Sequence, residues 1–339
     1  MTSPGISKTS LYVAAGRAVG AREPDRAARN PDDLAEKLLG DPSAIDLDHP
    51  VVTALRLGYG EAMKQIDVVN AVRMTTIRTR FIDEALERAV ADGATELVIL
   101  GAGLDSHAYR CRELLARVRI FEVDRPAMQA LKKQRVQAAL GAPPANLTYV
   151  EGDLLREDLP DVLTAHGYDP GRKTFFILEG VTMYLPEDAV RRTLRFAAAA
   201  SPGSAIVFDF VYQSMIDAIA RIDITKVPEA AKAFFERFLS VTRHEPWVFG
   251  LPTDGEREYL GELGLELRDE LSLFSEEAAG RYLTRADGTQ VGADTLAEAM
   301  ARMAASASAA SLPPVPPEQI RQQQRRMSHL VALATVARM

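Results

Sequence analysis

The sequence predicts an α/β protein with a doubly wound, mostly parallel sheet, a helical cap before the sheet and a helical lid inserted near its end. Strand-like and helix-like patterns alternate from about residue 94 to 212, which is typical of a parallel sheet with helices on both faces. Residues 1–93 show helical periodicity with polar breaks and no strand-like alternation, so they predict the cap. A segment at about 213–252 is apolar at helical spacing and interrupts the sheet pattern, and we interpret it as the lid.

Apolar runs and turn residues define the individual elements of the core, residues 94–339. Strands are predicted in Leu97–Leu100, Ile120–Asp124, Tyr149–Leu154, Phe175–Gly180, Ala205–Val211, Leu265–Leu273 and His329–Val336. Helices are predicted at Ser106–Ala116, Ala127–Leu140, Asp158–Ala165, Glu187–Ala200 and Gly255–Leu263. Residues Ala304–Pro317 are rich in Ala, Ser and Pro, which predicts a linker or surface loop.

The stretch Glu96–Arg110 is the most informative part of the chain. An apolar run meets a glycine turn, Gly101–Gly103, and an amphipathic segment begins at Asp105, so the order is strand, turn, helix. Glycines let the backbone approach a bound ligand where unpaired helix N–H groups can hold an anion. About twenty residues later Asp124 ends a second strand, where its carboxylate can accept both hydroxyls of a ribose. The two features together indicate an adenosine-containing ligand.

The acids that follow later strands indicate which adenosine compound is bound. Ser106 stands where a dinucleotide fingerprint has its third glycine, which weakens the NAD interpretation. Asp153 and Glu179 end the next two strands, and the carboxyl ends of parallel strands lie at one edge of a sheet. These carboxylates would repel a pyrophosphate but attract the sulfonium and ammonium groups of S-adenosylmethionine.

Four motifs resemble the leucine carboxyl methyltransferase family. They are GAGLDSHAYR, FEVDRP followed by Lys132 and Lys133, EGDLL, and LEGVTMYLPE. The resemblance runs from about Leu11 to the C-terminus and is nearer to the bacterial branch of secondary-metabolite O-methyltransferases, of the tetracenomycin polyketide type. It implies a class I methyltransferase with a Rossmann-like sheet and an antiparallel last strand, S-adenosylmethionine as donor, S-adenosylhomocysteine as product, and no metal. Ser106 and His107 depart from the threonine and arginine expected from the family.

The resemblance also implies roles for individual residues. Arg78 matches the family arginine that meets the donor carboxylate and can reach the acceptor, and Arg80 is the alternative for that role. Asp153 and Leu154 match the residues at the adenine, and Glu179 matches the acid at the methionine portion. The predicted donor-binding residues are Arg78, Gly101, Ala102, Gly103, Asp124, Arg125, Asp153, Leu154, Glu179 and Gly180, and the predicted catalytic residues are Arg78 and Tyr184.

The acceptor is predicted from the residues in or beside the lid and from the chemistry of methyl transfer. An aromatic and basic pocket is predicted from Arg80, Tyr184, Tyr212, Arg243, His244 and Trp247. A carboxylate acceptor is ionised at neutral pH and needs no base, whereas a phenol with a pKa of about 10 needs one. We therefore predict an O-methyltransferase that esterifies a carboxylate of a small acidic metabolite, polyketide-like or other. The alternatives are a hydroxyl methyltransferase with His244 or His107 as base, a protein carboxyl methyltransferase, and a donor-binding regulator without catalysis.

Composition and charge exclude several classes of partner. A net charge of −7 and the lack of a basic stripe argue against nucleic acid, and Arg321, Arg325 and Arg326 are interpreted as a solvated helix face. The single cysteine, Cys111, is predicted to be an inert buried thiol in a reducing compartment. With no apolar stretch of about twenty residues, we expect a cytoplasmic protein that does not bind membranes. The five histidines show no paired spacing, so no metal is expected.

Overall fold

The computed structural model describes residues 6–45, 47–156, 158–227, 232, 236–237, 239, 245–307, 322, 325–326 and 328–337. Within these residues the chain forms seven strands in one sheet, and every strand predicted from the sequence is present. The strands are β1 (Glu96–Leu100), β2 (Arg119–Asp124), β3 (Leu147–Glu151), β4 (Thr174–Leu178), β5 (Ala205–Val211), β6 (Leu265–Ser272) and β7 (His329–Val336).

The order of the strands in the sheet is β3-β2-β1-β4-β5-β7-β6. Strands β1 to β5 pair in parallel, whereas β7 runs antiparallel to both β5 and β6. The predicted doubly wound sheet with an antiparallel last strand is therefore confirmed. Because the order reverses between β1 and β4, the carboxyl ends of these two strands open a crevice, the usual place for a ligand in such a sheet.

The described helices surround this sheet. Their bounds are α1 (Lys8–Gly20), α2 (Ala35–Leu39), α3 (Pro50–Thr53), α4 (Tyr59–Ala62), α5 (Ile66–Ala91), α6 (His107–Arg110), α7 (Pro126–Leu140), α8 (Leu159–Ala165), α9 (Glu187–Ala198), α10 (Gln213–Ala220), α11 (Glu256–Glu262), α12 (Glu276–Tyr282) and α13 (Ala293–Ala307). No helix in the described part of the chain is long and apolar enough to cross a membrane.

Two predicted elements differ from the structure. The helix predicted at Ser106–Ala116 is α-helical only over His107–Arg110, because Cys111 takes φ −96° and ψ 29° and the chain continues in turns to residue 117. Leu115 is buried in these turns, as it would be in a helix, which is why the apolar spacing of the sequence predicted a longer helix. The linker predicted at Ala304–Pro317 begins inside α13, because alanine has the highest helix propensity. Residues 308–317 lie outside the described residues.

Helices α1 and α5 pack together and bring the predicted cap onto one face of the sheet. Apolar side chains of both helices, such as Ala18 and Phe81, share one hydrophobic core with Leu97 and Phe175 of the sheet. Helix α5 also contacts β4, β5 and β7 directly. All secondary-structure elements that the structure assigns within residues 6–91 are therefore helices. The division into two domains at residue 93 remains a prediction. This packing carries Arg17 and Arg78 to the crevice.

The two ends of the predicted lid lie side by side at the sheet. The N–H of Gln213 donates to the carbonyl of Leu251 at 2.9 Å, and the N–H of Leu251 donates to Val211 at the same distance. A Cβ on Gly250 would lie 2.5 Å from the nitrogen of Gln213, so only glycine allows this approach. The first part of the predicted lid forms helix α10, in agreement with the helical prediction, and none of the residues of α10 is fully buried. The middle of the segment is largely outside the described residues, so lid closure remains a prediction.

Candidate active site

A cavity of about 340 Å³ lies at the carboxyl ends of β1, β2, β3 and β4. Its lining includes the glycine turn after β1 and the acid that follows each of the next three strands of the chain. All ten residues predicted to bind the donor line this cavity, together with Tyr184: Arg78, Gly101, Ala102, Gly103, Asp124, Arg125, Asp153, Leu154, Glu179 and Gly180. The sequence thus identified residues that the fold brings together.

The glycine turn is folded so tightly that it has no room for side chains. Gly101 and Gly103 have φ values of 68° and 45°, which favour glycine. A Cβ on Gly101 would lie 2.6 Å from a methyl group of Val181, and one on Gly103 would lie 2.7 Å from Ser10 Oγ. The turn therefore presents bare backbone to the cavity, which suits close approach of a ligand.

Asp124 connects the end of β2 to this turn. Its Oδ2 accepts from the N–H of Gly103 at 2.6 Å, and its Oδ1 accepts from the N–H of Arg125 at 2.7 Å. Burial raises the pKa of Asp124, and these two backbone donors oppose the rise. The carboxylate is thus held in place at the cavity, and its role as acceptor of the ribose hydroxyls remains a prediction.

Arg78 bridges two carboxylates at the other side of the cavity. Its Nη2 lies 2.7 Å from Glu179 Oε1, and its Nη1 donates to Asp209 Oδ2 at 2.6 Å. Asp209 also accepts from the N–H of Gly180 at 2.6 Å and lies 2.8 Å from His329 Nε2. Burial alone would raise the pKa of Asp209, but Arg78 and His329 lower it to about 2. Arg78 Nε has no hydrogen-bond partner among the described residues, so the guanidinium retains a donor.

Asp209 was not predicted from the sequence, although a signal was present. It is the only charged residue of the strand AIVFDFV, and an acid in a buried strand is costly without a partner. That cost pointed to a cation, but nothing in the sequence identified Arg78 as the partner, 131 residues earlier in the chain.

Arg17 of α1 is a second buried arginine in the cavity and was also missed. Its Nε lies 3.0 Å from Asp32 Oδ2, its Nη2 donates to the carbonyl of Leu104 at 2.8 Å, and its Nη1 lies 3.5 Å from Glu179 Oε1. Glu179 is therefore flanked by Arg17 and Arg78. No local sequence pattern distinguishes Arg17 from a surface arginine, since it is the packing of α1 against α5 that buries it.

Glu245 connects the end of the predicted lid to the start of α1. Its Oε2 accepts from the N–H of Thr9 at 2.8 Å and from the hydroxyls of Ser7, at 3.2 Å, and Thr9. Tyr184 donates to Thr9 Oγ1 at 3.2 Å and so joins the same network. Burial raises the pKa of Tyr184, which keeps its phenol neutral and able to donate. All four residues line the cavity, so this network closes one of its walls.

We expect Glu245→Gln to loosen this wall, because a neutral amide accepts a weaker hydrogen bond than a carboxylate. Hydrogen exchange should become faster in residues 7–13 when no donor is bound. The apparent KM for the donor should rise several-fold, which corresponds to a loss of about 1 kcal/mol in binding free energy. The matched control is Glu262→Gln, which removes an exposed ion pair with Arg191. Unchanged exchange in Glu245→Gln would show that the network does not hold α1.

The structure does not bring three of the predicted acceptor residues to the cavity. Arg80 donates to the carbonyls of Arg26 and Arg29 on the outer side of α5. Tyr212 is buried and its hydroxyl donates to Glu256 at 3.0 Å. Trp247 does not line the cavity either, although it forms a hydrogen bond with Tyr184, which does, and its ring lies 6.1 Å from that of His329. The remaining two predictions, Arg243 and His244, lie outside the described residues.

The charges of the lining fit a cationic ligand. Five carboxylates, of Asp105, Asp124, Asp153, Glu179 and Glu245, face three guanidinium groups, of Arg17, Arg78 and Arg125. With the bare glycine turn and the strand-end Asp124, this lining fits the sulfonium, ammonium and ribose groups of S-adenosylmethionine. The described residues contain no cluster of three or more metal-ligating side chains. Sheet and cavity together have the arrangement of the class I methyltransferase fold, with the ligand cavity at the carboxyl ends of the parallel strands.

A sequence model of the leucine carboxyl methyltransferase family matches residues 10–198, and the chain belongs to that family. A protein of Mycolicibacterium smegmatis is 35% identical over 202 residues, which are 59% of this chain and 65% of that protein. A protein of Mycobacterium tuberculosis H37Rv is 37% identical over 235 residues, which are 65% of this chain and 70% of that protein. Both carry the provisional name S-adenosyl-L-methionine-dependent methyltransferase. The chain thus spans just under two thirds of the first relative.

Two solved structures are similar over nearly the whole chain. One is a Thermobifida fusca protein provisionally named a methyltransferase, with a TM-score of 0.48 and 16% identity over 95% of this chain and 98% of that chain. The other is a DUF574 family protein of Streptomyces avermitilis, with a TM-score of 0.48 and 16% identity over 94% and 99%. The tetracenomycin-type branch within the family remains a prediction.

Proposed function

We propose that this protein transfers the methyl group of S-adenosylmethionine to a carboxylate oxygen of a small acidic metabolite, polyketide-like or other, and so forms a methyl ester. The observation that carries this proposal is that the described lining offers no free base, because its carboxylates already accept hydrogen bonds or form ion pairs, as those of Asp124, Glu179 and Glu245 do. The described residues that line the cavity include no histidine, lysine or cysteine. A carboxylate acceptor is already ionised near neutral pH and needs no base.

The lining supports positioning as the main source of rate acceleration. S-adenosylmethionine supplies a methyl group that its sulfonium has already activated. Asp124 and the glycine turn fix the adenosine end, while Glu179, between Arg17 and Arg78, receives the methionine end. The acceptor oxygen forms its bond to the methyl carbon as the carbon–sulfur bond breaks, and S-adenosylhomocysteine leaves. The two opposite charges cancel and no proton is released, so a cavity that excludes water favours the reaction.

The mouth of the cavity supports an acceptor with an apolar body. Leu155 and Val248 are among the most exposed large apolar side chains of the described residues, at 46% and 52%, and both belong to the cavity lining. Val181 and Leu185 add apolar surface within the cavity. An acceptor with a carboxylate at one end and an apolar scaffold at the other would bury this surface on binding.

The hydroxyl alternative needs a base, and the described cavity offers only carboxylates that already have partners. His107 cannot serve, because both of its ring nitrogens face carboxylates and it does not line the cavity. Burial raises the pKa of Tyr184, so its phenol stays neutral and is no base either. His244 is the remaining candidate, and its substitution by alanine decides this alternative: a loss of about a hundredfold or more in turnover, in the range of general-base catalysis, would favour a hydroxyl acceptor.

The chemical stability of the product gives the sharpest test. The protein is incubated with methyl-labelled S-adenosylmethionine and separate panels of carboxylic acids and phenols, and the products are treated with mild alkali. A methyl ester releases labelled methanol, whereas an aryl methyl ether does not. We expect alkali-labile label from the carboxylic acids alone. Alkali-stable label from the phenols would contradict the carboxylate proposal and favour a hydroxyl acceptor. If no acceptor became labelled although the donor bound, the alternative of a donor-binding regulator without catalysis would be favoured.

We also expect the turnover number to stay flat from about pH 6 to 8, since a free carboxylate with a pKa near 4 is ionised throughout this range. The measurement is the rate at saturating donor and acceptor, with protein unfolding followed in parallel. A rate that rises with one ionisation near neutrality in wild type, and loses that ionisation in His244→Ala, would indicate a base and contradict the carboxylate assignment.

A further inference from the structure

The imidazole of His107 lies behind the glycine turn and faces a carboxylate at each nitrogen. Its Nδ1 is 2.6 Å from Asp105 Oδ2, and its Nε2 is 3.1 Å from Asp83 Oδ1. The side chain is 2% exposed. An ionised carboxylate can only accept hydrogen bonds, and a neutral imidazole can donate from only one nitrogen. Nδ1 therefore donates to Asp105, while the carboxylate of Asp83 beside Nε2, which is not aligned for a hydrogen bond, favours the imidazolium through its charge.

The surrounding charges favour this cation. Burial would lower the pKa of His107 and Arg110 opposes its charge, but Asp105 and Asp83 raise the pKa to about 9. Arg110 forms a fork on Asp83, with its Nη1 donating to Oδ2 at 2.8 Å. Other charged or titratable groups also act on this cluster: Lys132, Arg17 and Glu122 act on Asp105, Arg80 acts on Asp83, and Asp32 and Cys111 act on Arg110.

This cluster is joined directly to the wall of the donor cavity. Asp105 lines the cavity, and its N–H donates to the carbonyl of Ala102 at 2.7 Å, which closes the turn. The Oδ1 of Asp105 accepts from the N–H of His107 at 2.8 Å. The turn closed in this way contains Gly103, whose N–H donates to Asp124. The position of Asp105 therefore affects the backbone of the glycine turn, which is the proposed binding site of the donor.

We propose that His107 is a positioning residue for donor binding: its imidazolium holds Asp105 to Asp83 and so fixes the glycine turn against α5, the helix that carries Arg78. Without this cation the buried carboxylate of Asp105 would face that of Asp83, which would keep only Arg110 as its partner, and Asp105 would have to move or take up a proton. The proposal concerns the donor alone and does not depend on the acceptor.

The pH dependence follows from the raised pKa. A group whose pKa is higher in the folded protein than in the unfolded chain contributes its full stabilisation below the unfolded value, about 6.5 for histidine. That contribution is lost as the pH rises through about 9, where folded His107 loses its proton. Donor affinity should fall over the same interval for the same reason. A permanent cation at this position should remove the dependence.

The test uses S-adenosylhomocysteine as the probe, with its dissociation constant measured by calorimetry from pH 7 to 10. His107→Gln, which cannot be a cation, should bind at least about tenfold more weakly at pH 7.5. His107→Arg should bind like wild type at pH 7.5 and retain that affinity to pH 10, while wild-type affinity falls above about pH 9. The ligand's own ionisation is common to both proteins, so the ratio of their dissociation constants isolates His107.

A second measurement keeps the test valid even where a variant fails to fold. Nitrogen-15 NMR of the imidazole groups in wild type should show one histidine that is protonated at both nitrogens at pH 7.5 and titrates near 9. Five neutral histidines at that pH would overturn the proposal. So would His107→Gln binding the probe with wild-type affinity and with the wild-type pH dependence.

Discussion

Arg78→Met is expected to lower the free energy of unfolding by about 3–5 kcal/mol, the usual cost of breaking a buried ion pair from one side. The guanidinium is 2% exposed and neutralises both Glu179 and Asp209, so its loss leaves two carboxylates without their shared cation. Donor binding should be lost with it, because Glu179 then keeps only the longer, 3.5 Å contact with Arg17. Urea unfolding and calorimetry with S-adenosylhomocysteine measure the two effects.

Arg78→Lys tests the geometry where the methionine variant is too unstable to study. Lysine keeps the charge, but its single ammonium cannot reproduce the fork that reaches both carboxylates. We expect kcat/KM to fall by about a hundredfold or more, or ~3 kcal/mol. Wild-type turnover in a folded Arg78→Lys protein would show that a point charge is sufficient.

Arg80→Met is the matched control, since it removes the same group from the same helix two residues later. Its guanidinium donates to carbonyls of Arg26 and Arg29 and does not reach the cavity. Donor affinity should therefore stay within about twofold of wild type. If Arg80→Met lost as much donor binding as the Arg78 variants, Arg80 would have to be assigned a role in the donor site.

Asp124→Asn should weaken donor binding more than tenfold. Each hydrogen bond to a charged group contributes about 1.5–3 kcal/mol. Asparagine is nearly the same size, and its oxygen can still accept from Gly103 or Arg125, so the turn should stay folded. Its amide cannot present two acceptor oxygens to the ribose. Calorimetry with S-adenosylhomocysteine measures the loss, and thermal unfolding without ligand shows whether the turn is intact.

Glu151→Gln is the control for this prediction. Glu151 is the register partner of Asp124 on β3, but it is exposed, lies 3.6 Å from Lys133 and does not line the cavity. Its substitution should leave donor affinity unchanged. If Asp124→Asn bound the ligand as well as Glu151→Gln, the ribose would have to be assigned to another residue.

The strands and the donor site could be predicted because their signals are local. A run such as Glu96–Leu100 followed by glycines defines a strand and a turn whatever the rest of the chain does. In a parallel sheet the carboxyl ends lie at one edge, so Asp124, Asp153 and Glu179 had to meet once the strands were recognised. For this reason nine of the ten predicted donor residues line one cavity, and the tenth, Arg78, is brought there by the packing of α5 on the sheet.

Partners that come from distant parts of the chain were decided by the tertiary structure alone. The packing of α1 on α5 buries Arg17 and places it beside Glu179, and β5 places Asp209 beneath Arg78. The acceptor residues were predicted from their type, from the family resemblance or from their position near the lid. Arg80 and Tyr212 have partners elsewhere, and Trp247 lies outside the cavity lining but contacts Tyr184. Periodicity also could not show that the segment after Arg110 continues in turns, because these turns bury the apolar side chain of Leu115 that a helix would bury.

The sequence by itself therefore determined the order of the elements, the class of ligand and the residues at the strand ends, because each of these depends on neighbours along the chain. The tertiary structure decided which charges pair. Whether an arginine such as Arg17 or Arg80 is buried against carboxylates or rests on backbone carbonyls depends on the helix face that packs inward. Which face packs inward depends on the free energy of removing each charge from water. That free energy is set by the partners the charge meets, and these come from residues far apart in the sequence.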